Sequence, residues 1–137
     1  MKTRILLIVL LSIIVLPAVS QKVQMPGGDD IAVGPVINFL ETVYDFGTIK
    51  SGVEAIHYFV FSNTGTDPLV ISNVRTSCGC AVPEWPKAPV GSGTKDSLRV
   101  EYNTRIKGAF DKTVMVYSNA AKGMVELRIK GNVTKAK

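Results

Sequence analysis

The chain has 137 residues, with sixteen Lys and Arg against eleven Asp and Glu, two Cys, one His and one Trp. This length favours a single domain, because one core is the rule below roughly 150 residues. Length and cysteine count exclude a multidomain enzyme, a Rossmann domain, a disulfide-dense miniprotein and a four-Cys zinc site. The hydrophobic fraction of 46% favours a folded chain over a disordered one.

Residues 1–20 predict a secretory signal peptide. Lys2 and Arg4 precede an apolar run from Ile5 to Leu16, and Ala18-Val19-Ser20 supplies small residues for cleavage. The run is too short for an uncleaved anchor, which needs about 20 apolar residues. We therefore expect cleavage after residue 20, no stable membrane span afterwards, and an exported protein that is periplasmic, at the cell surface or secreted.

The net charge does not indicate a nucleic-acid partner. The formal charge of +5 includes Lys2 and Arg4 of the predicted leader. Without them the excess of basic groups falls to about +3, which is too small for a nucleic-acid-binding surface.

The rest of the chain divides into a lead-in and a series of strands. Residues 21–35 are rich in Gly, Pro and Asp and predict a flexible lead-in. Residues 36–134 contain short apolar runs separated by turn residues. The predicted strands are Val36–Leu40 with Thr42–Phe46 (ending at Gly47), Val53–Ser62, Leu69–Thr76, Asp96–Tyr102, Phe110–Ser118 and Met124–Val133. Residues 81–93, with three Pro, predict a long irregular connection between the third and fourth of these.

This pattern predicts an antiparallel β-sandwich of six or seven strands. Two facing sheets would each point alternate side chains into a shared core. The predicted inward residues are Leu98, Val100, Val114, Val116, Val125, Leu127 and Ile129, packed against Ile56, Val60, Leu69 and Ile71.

An ordered set of motifs resembles a known family. The set comprises Tyr44-Asp45-Phe46-Gly47-Thr48-Ile49, Gly52, Phe59-x-Phe61-x-Asn63-x-Gly65, Pro68-Leu69-Val70-Ile71, Thr76-Ser77-Cys78-Gly79-Cys80, Tyr117-Ser118-Asn119 and Gly131. Over about residues 38–133 it resembles the exported bacterial family called domain of unknown function 1573, abundant in Bacteroidota and similar to the Ig-like domains of the ASPM, SPD-2 and Hydin group. The resemblance implies an Ig-like sandwich of seven strands and no defined activity. Two positions depart from the family pattern. Ala81 stands where the family usually has Thr, and Val90-Gly91-Ser92-Gly93 replaces its usual Pro-Gly.

Cys78-Gly79-Cys80 is the motif with the most chemical potential. Side chains at i and i+2 share a face of a strand, so both sulfurs lie on one side. In an extended chain their Cα atoms would be roughly 6.5 Å apart, at the edge of disulfide reach. We expect Gly79 to close this gap by adopting backbone angles that other residues avoid.

Three interpretations of the pair remain open. In an oxidising compartment the cysteines form a local disulfide with a structural or redox role. Alternatively, the two thiolates bind Cu(I), whereas zinc would need four ligands and His57 is the one His in the chain. In the third interpretation both thiols are small buried hydrophobic groups.

Two other residues are candidates for a role. Trp85, in the predicted irregular connection, is either a contact anchor or a lid over one end of the core. His57, in the middle of a predicted strand, is expected to be a half-buried packing residue, because the sequence offers no nucleophile at the spacing that would partner it.

The sequence thus favours an exported, non-enzymatic Ig-like binding or structural module of the bacterial envelope, without a resident cofactor. Its expected partner is an envelope or surface protein. The alternative is a periplasmic thiol-redox or copper-binding protein that uses Cys78 and Cys80.

Overall fold

A computed structural model describes residues 33–137, which contain eight β-strands. The strands are β1 Ile37–Phe39, β2 Val43–Lys50, β3 Ala55–Asn63, β4 Ile71–Thr76, β5 Ala81–Glu84, β6 Lys95–Tyr102, β7 Gly108–Ser118 and β8 Met124–Thr134. The predicted signal peptide and residues 21–32 of the predicted lead-in lie outside the described residues. Within residues 33–137 there is no helix long and apolar enough to cross a membrane.

The strands form two four-stranded sheets that pack face to face. Their orders are β1-β3-β6-β5 and β2-β8-β7-β4. All described strand pairs are antiparallel except β2 and β8, which are parallel. The structure therefore confirms an all-β Ig-like sandwich, with eight strands in place of about seven.

The additional strand lies in the segment predicted to be irregular. β5 pairs with β6 over four residues, and Pro83 lies opposite Val100. Proline cannot donate to a ladder and is tolerated on an edge strand, which is the position of β5 in its sheet. The prediction of an irregular connection over residues 81–93 is wrong at its start, because a short edge strand with proline lacks the usual strand signal.

A second difference concerns the end of β2. The sequence predicts that the strand ends at Gly47, whereas it continues to Lys50. Gly47 has a φ of 64°, and the pairing with β8 shifts register between Asp45 and Thr48. The glycine thus forms a bulge that bends the strand without ending it.

The two faces of β3 are the reverse of the prediction. Phe59 and Phe61 are fully buried, whereas Ile56 and Val60 are only half-buried. Both faces of β3 are apolar, so alternation alone does not indicate which faces the core. The other predicted inward residues are buried, apart from the half-buried Val125.

Asn63, at the end of β3, joins three segments of the backbone and has no exposed surface. Its Oδ1 accepts hydrogen bonds from the N–H groups of Val36, at 3.2 Å, and Gly65, at 3.0 Å. Its Nδ2 donates to the carbonyl oxygens of Asp67, at 2.7 Å, and Val90, at 2.9 Å. One side chain therefore pairs with four backbone groups beside the core, of which the Val90 carbonyl oxygen also accepts from the Leu69 N–H.

Replacing Asn63 by Ala is expected to lower the free energy of unfolding by about 2–4 kcal/mol, since buried backbone groups lose their partners. Asn38→Ala on the neighbouring β1, where the side chain is exposed, is the matched control and should cost less than about 0.5 kcal/mol. Urea denaturation measures both. Equal midpoints for the two variants would refute the role assigned to Asn63.

Candidate functional site

The two cysteines lie where the chain crosses from one sheet to the other. β4 ends at Thr76 on the edge of its sheet, and β5 begins at Ala81 on the edge of the other. Residues 77–80 make the whole connection. The motif is therefore a crossover between sheets rather than the end of a strand.

Cys78 and Cys80 form a disulfide, with Cα atoms 5.3 Å apart. The turn at residues 77–80 brings the two Cα atoms closer together than they would be in an extended chain. Gly79 is not among the glycines with positive φ, so the expectation that it adopts unusual backbone angles is wrong. A Cβ at Gly79 would meet no atom within 4 Å, so open space lies beside the disulfide ring.

Hydrogen bonds hold this crossover independently of the disulfide. The Thr76 hydroxyl donates to the Cys78 carbonyl oxygen at 2.6 Å and also lies 3.3 Å from that of Ala81. The Asn103 N–H donates to the Cys80 carbonyl oxygen at 2.8 Å. The Ser77 N–H donates to the Thr113 carbonyl oxygen at 2.9 Å. Both ends of the turn are thus tied to neighbouring strands.

The two sulfur-bearing residues have different surroundings. Cys80 is 8% exposed and belongs to the core, whereas Cys78 is half-buried. The backbone N–H of Cys80 donates to the Sγ of Cys78 at 3.3 Å. The pair therefore presents Cys78 to solvent and keeps Cys80 inside.

The Cu(I) prediction concerns the reduced pair. Two thiolates can satisfy Cu(I), but in the disulfide the sulfurs are bonded to each other. Among the described residues, no group of three or more His, Cys, Asp or Glu is placed to hold a metal ion. Binding of Cu(I) by Cys78 and Cys80 stays a prediction for the dithiol form.

Opening the disulfide should cost little stability. A ring over three residues removes about 1.6 kcal/mol of unfolded-state entropy at 25 °C, against about 3 kcal/mol for a fifteen-residue loop. The double variant Cys78→Ser with Cys80→Ser should therefore lose roughly 1–2 kcal/mol, measured by urea denaturation under non-reducing conditions. Wild-type protein in reducing buffer is the control. A loss above about 4 kcal/mol would contradict this, because it would mean that the bond holds the two sheets together.

The second candidate site lies on the outer side of the β1-β3-β6-β5 sheet. Tyr58 lies opposite Arg99, which lies opposite Glu84, in one row across β3, β6 and β5. With Trp85 they line an open cleft of about 380 Å³. Tyr58 is 53% exposed although it lies in the middle of a strand.

Arg99 is paired with two carboxylates on this surface. Its Nη2 donates to Glu101 Oε2 at 2.7 Å, and its Nη1 lies 3.6 Å from Glu84 Oε1. The hydrogen bond to Glu101 raises the pKa of the guanidinium, burial opposes this, and the Glu84 charge adds to the increase. The arginine therefore offers a fixed, neutralised plane rather than a free positive charge.

Trp85, considered from the sequence as a contact anchor or as a lid over the core, lies where it touches both the core and the surface, and its contact role stays a prediction. It is half-buried against the core, and it also lines the cleft beside Tyr58. The Nζ of Lys87 lies 3.1 Å from the centroid of its ring, a cation–π contact. Because β5 lies between them, Trp85 is roughly 16 Å along the chain from Cys80, and the structure does not bring Trp85 to the cysteines.

The outer faces of the two sheets differ in chemistry. On the first sheet, the outward side chains of β3 are largely apolar or aromatic and those of β6 are polar or charged, and we call this surface the aromatic face. Its members include Ile56, Tyr58, Val60, Val82 and Trp85. Val82 is 55% exposed.

On the second sheet, the outward side chains of β8 pair with acids of its neighbours, and we call this surface the charged face. Arg128 binds Asp111, with Nε 3.1 Å from Oδ1, and Lys130 lies 3.8 Å from Asp45. The charged face also carries the half-buried Met115 and Tyr117, and Met124 at the start of β8 is 42% exposed. Within residues 33–137, the exposed large apolar side chains that lie inside a strand rather than at its end, Tyr58 and Val82, are on the aromatic face.

His57 lies between the sheets and not on either face. Its ring stacks on Tyr44 with centroids 3.6 Å apart, and its Nε2 lies 2.7 Å from Glu41 Oε1. The half-buried position agrees with the packing role expected from the sequence. Tyr44 and Glu41 were not evident as its partners, because the contact joins different sheets.

Another cleft, of about 450 Å³, lies at one end of the sandwich, between Pro35 and Lys122. None of the residues singled out from the sequence lines it. The residues singled out as candidate sites from the sequence therefore lie at two separate places, the cysteine crossover and the surface that includes Trp85.

Two packed sheets with a local disulfide at one crossover define an Ig-like β-sandwich domain. The chain belongs to the family described as "Protein of unknown function (DUF1573)", whose model matches residues 37–133. No curated protein matches it.

Solved structures show the same fold at low sequence identity. A protein of unknown function from Porphyromonas gingivalis W83 has a TM-score of 0.67 at 16% identity, over 74% of this chain and 48% of that one. This chain thus spans about half the length of the Porphyromonas protein. The ASH/PapD-like domain 7 of human CEP192 has a TM-score of 0.62 at 10% identity, over 74% of this chain and 87% of that domain. The VesB protease of Vibrio cholerae has a TM-score of 0.58 at 14% identity, over 72% of this chain and 31% of that one.

Proposed function

We propose that this chain is an exported, non-enzymatic module of the bacterial envelope that binds a protein partner through its aromatic face. The observation that carries the proposal is Tyr58, an exposed aromatic side chain in the middle of a strand, with half-buried apolar side chains on both sides of it along β3. Such outward apolar groups add little to the core of the domain. They become useful when a second surface covers them.

The composition of the aromatic face is that of a protein-binding surface. Tyr, Trp and Arg are the residue types that most often dominate binding energy at protein interfaces. Tyr58, Trp85 and Arg99 line one cleft here. Arg99 is already fixed by Glu84 and Glu101, so less side-chain freedom is lost when a partner docks.

A protein fits this surface better than a sugar. A sugar ring would stack on an open aromatic plane, but Lys87 lies over one plane of Trp85 and the core packs against the side chain. The indole is therefore contacted by both the Lys87 side chain and the core, and the exposed Tyr58 lies beside it in the cleft. A partly covered indole beside Tyr58 and the aliphatic side chains of β3 suits the irregular apolar surface of a folded protein.

Site-specific photo-crosslinking in producing cells tests the binding surface. A benzophenone amino acid in place of Tyr58 should give a discrete adduct of higher mass. The same amino acid in place of Tyr117, a half-buried Tyr that points outward from the charged face, is the matched control and should give none. Arg99→Ala should reduce the Tyr58 adduct at least about fivefold, as expected for the loss of a central contact. Adducts of equal yield at both positions, or at neither, would disprove binding through this face.

Export is a separate part of the proposal and rests on residues 1–20. Lys2 and Arg4, the apolar run that follows and the small residues before Gln21 support it. The mature chain is expected to begin at Gln21 and to occur in the envelope or medium fraction. Intact mass and N-terminal sequencing of the fractionated protein measure this. Retention of Met1 in protein from the cytoplasmic fraction would contradict export.

The alternative function, thiol-redox or Cu(I) chemistry at Cys78 and Cys80, can be separated from binding. Because those residues lie at the other end of β5 from Trp85, the double Ser variant should still give the Tyr58 adduct. Catalytic turnover that is lost in that variant would replace the binding proposal by the alternative.

A further inference from the structure

The disulfide at the crossover exposes its two sulfur-bearing residues unequally. Cys78 is half-buried, whereas Cys80 is 8% exposed and packs in the core. Exposed Gly79 lies between them, with nothing within 4 Å of where a Cβ would be. An incoming group can therefore approach the ring from the side of Gly79 and reach the Sγ of Cys78 first.

The fold does not require this bond to stay closed. Thr76, Ser77 and Asn103 fix the turn by hydrogen bonds that involve no sulfur. Strands β4 and β5 are each paired with an inner strand of their own sheet. Breaking the S–S bond leaves these contacts in place, so the bond can open in the folded protein.

A backbone hydrogen bond is placed to stabilise the Cys78 thiolate that forms when the disulfide opens. The Cys80 N–H that donates to Cys78 Sγ can donate to a Cys78 thiolate, and a hydrogen bond to the charged form favours it. Cys80 belongs to the hydrophobic core cluster, and burial in apolar surroundings disfavours a thiolate. Cys78 is therefore the reactive member of the pair, and Cys80 is the buried one.

We propose that Cys78–Cys80 is a redox-active disulfide that exchanges with an accessible dithiol of another protein, and that Cys78 Sγ is the sulfur attacked. One partner thiolate bonds to Cys78 Sγ and the Cys78–Cys80 bond breaks. Cys80 leaves with the electron pair and is protonated by the partner's second thiol, which becomes the second thiolate. The second partner thiolate then attacks the partner sulfur of the mixed disulfide. Cys78 leaves as a thiolate beside the Cys80 N–H and is later protonated.

The exchange is balanced and stoichiometric. The partner dithiol loses two electrons and two protons and becomes a disulfide. Cys78 and Cys80 gain them and become a dithiol. This activity goes beyond partner binding by the aromatic face, whose cleft at Tyr58 and Trp85 lies at the other end of β5, and it does not depend on that proposal.

The first test uses wild-type full-length protein and dithiothreitol as the dithiol, without denaturant. Acid quenching, alkylation and intact mass follow opening of the disulfide, and far-UV circular dichroism follows the fold. The disulfide is expected to open much faster than the protein unfolds in the same buffer, with the spectrum unchanged. Opening at the rate of global unfolding would overturn the proposal.

The second test distinguishes the two sulfurs. In the Cys80→Ser variant the thiol of Cys78 should react with iodoacetamide at least about tenfold faster than the thiol of Cys80 in the Cys78→Ser variant, because reactivity follows exposure and thiolate character. In urea the two rates should become equal, which controls for the reagent. A native Cys80 thiol that reacts as fast as Cys78 would also overturn the proposal, and the wild-type test stands if either variant fails to fold.

Discussion

Side-chain alternation along β3 is the constraint on which the rest of the structure depends. Successive residues of a strand point to opposite faces, so burial of Phe59 and Phe61 turns Tyr58 and Val60 to the outside. A shift of one residue would bury Tyr58 and expose both phenylalanines. The same register places Asn63 where it can join three backbone segments. The register of β3 therefore determines the core, the β3–β4 connection and the aromatic face together.

The sequence predicts best those strands whose two faces differ. In β6 and β8 the apolar residues alternate with charged ones, and Leu98, Val100, Leu127 and Ile129 are buried as expected. In β3 both faces are apolar, and the choice between them depends on how the sheets stack, which alternation does not encode. β5 was missed because a four-residue edge strand with Pro83 has no periodic signal.

The site was only partly predictable. Trp85 and the two cysteines were evident from residue type, but the row of Tyr58, Arg99 and Glu84 joins three strands and appears only once the register is known. The role expected for Gly79 was wrong because the turn at residues 77–80 brings the cysteines together without positive φ. Placing the cysteines at one end of β5 and Trp85 at the other separates a surface suited to binding from a bond suited to thiol chemistry.

Comparing the stability of Tyr58→Ala with that of Phe59→Ala tests this account most directly, since the two neighbours are aromatic side chains of similar size that occupy opposite faces. If the register is as described, Tyr58→Ala changes the free energy of unfolding by no more than about 1 kcal/mol, and Phe59→Ala lowers it by about 3–5 kcal/mol. Urea denaturation of the two variants beside the wild type gives both values. Similar losses for both, or the larger loss for Tyr58→Ala, would contradict the assignment of an inner and an outer face on which the core and the proposed binding surface both rest.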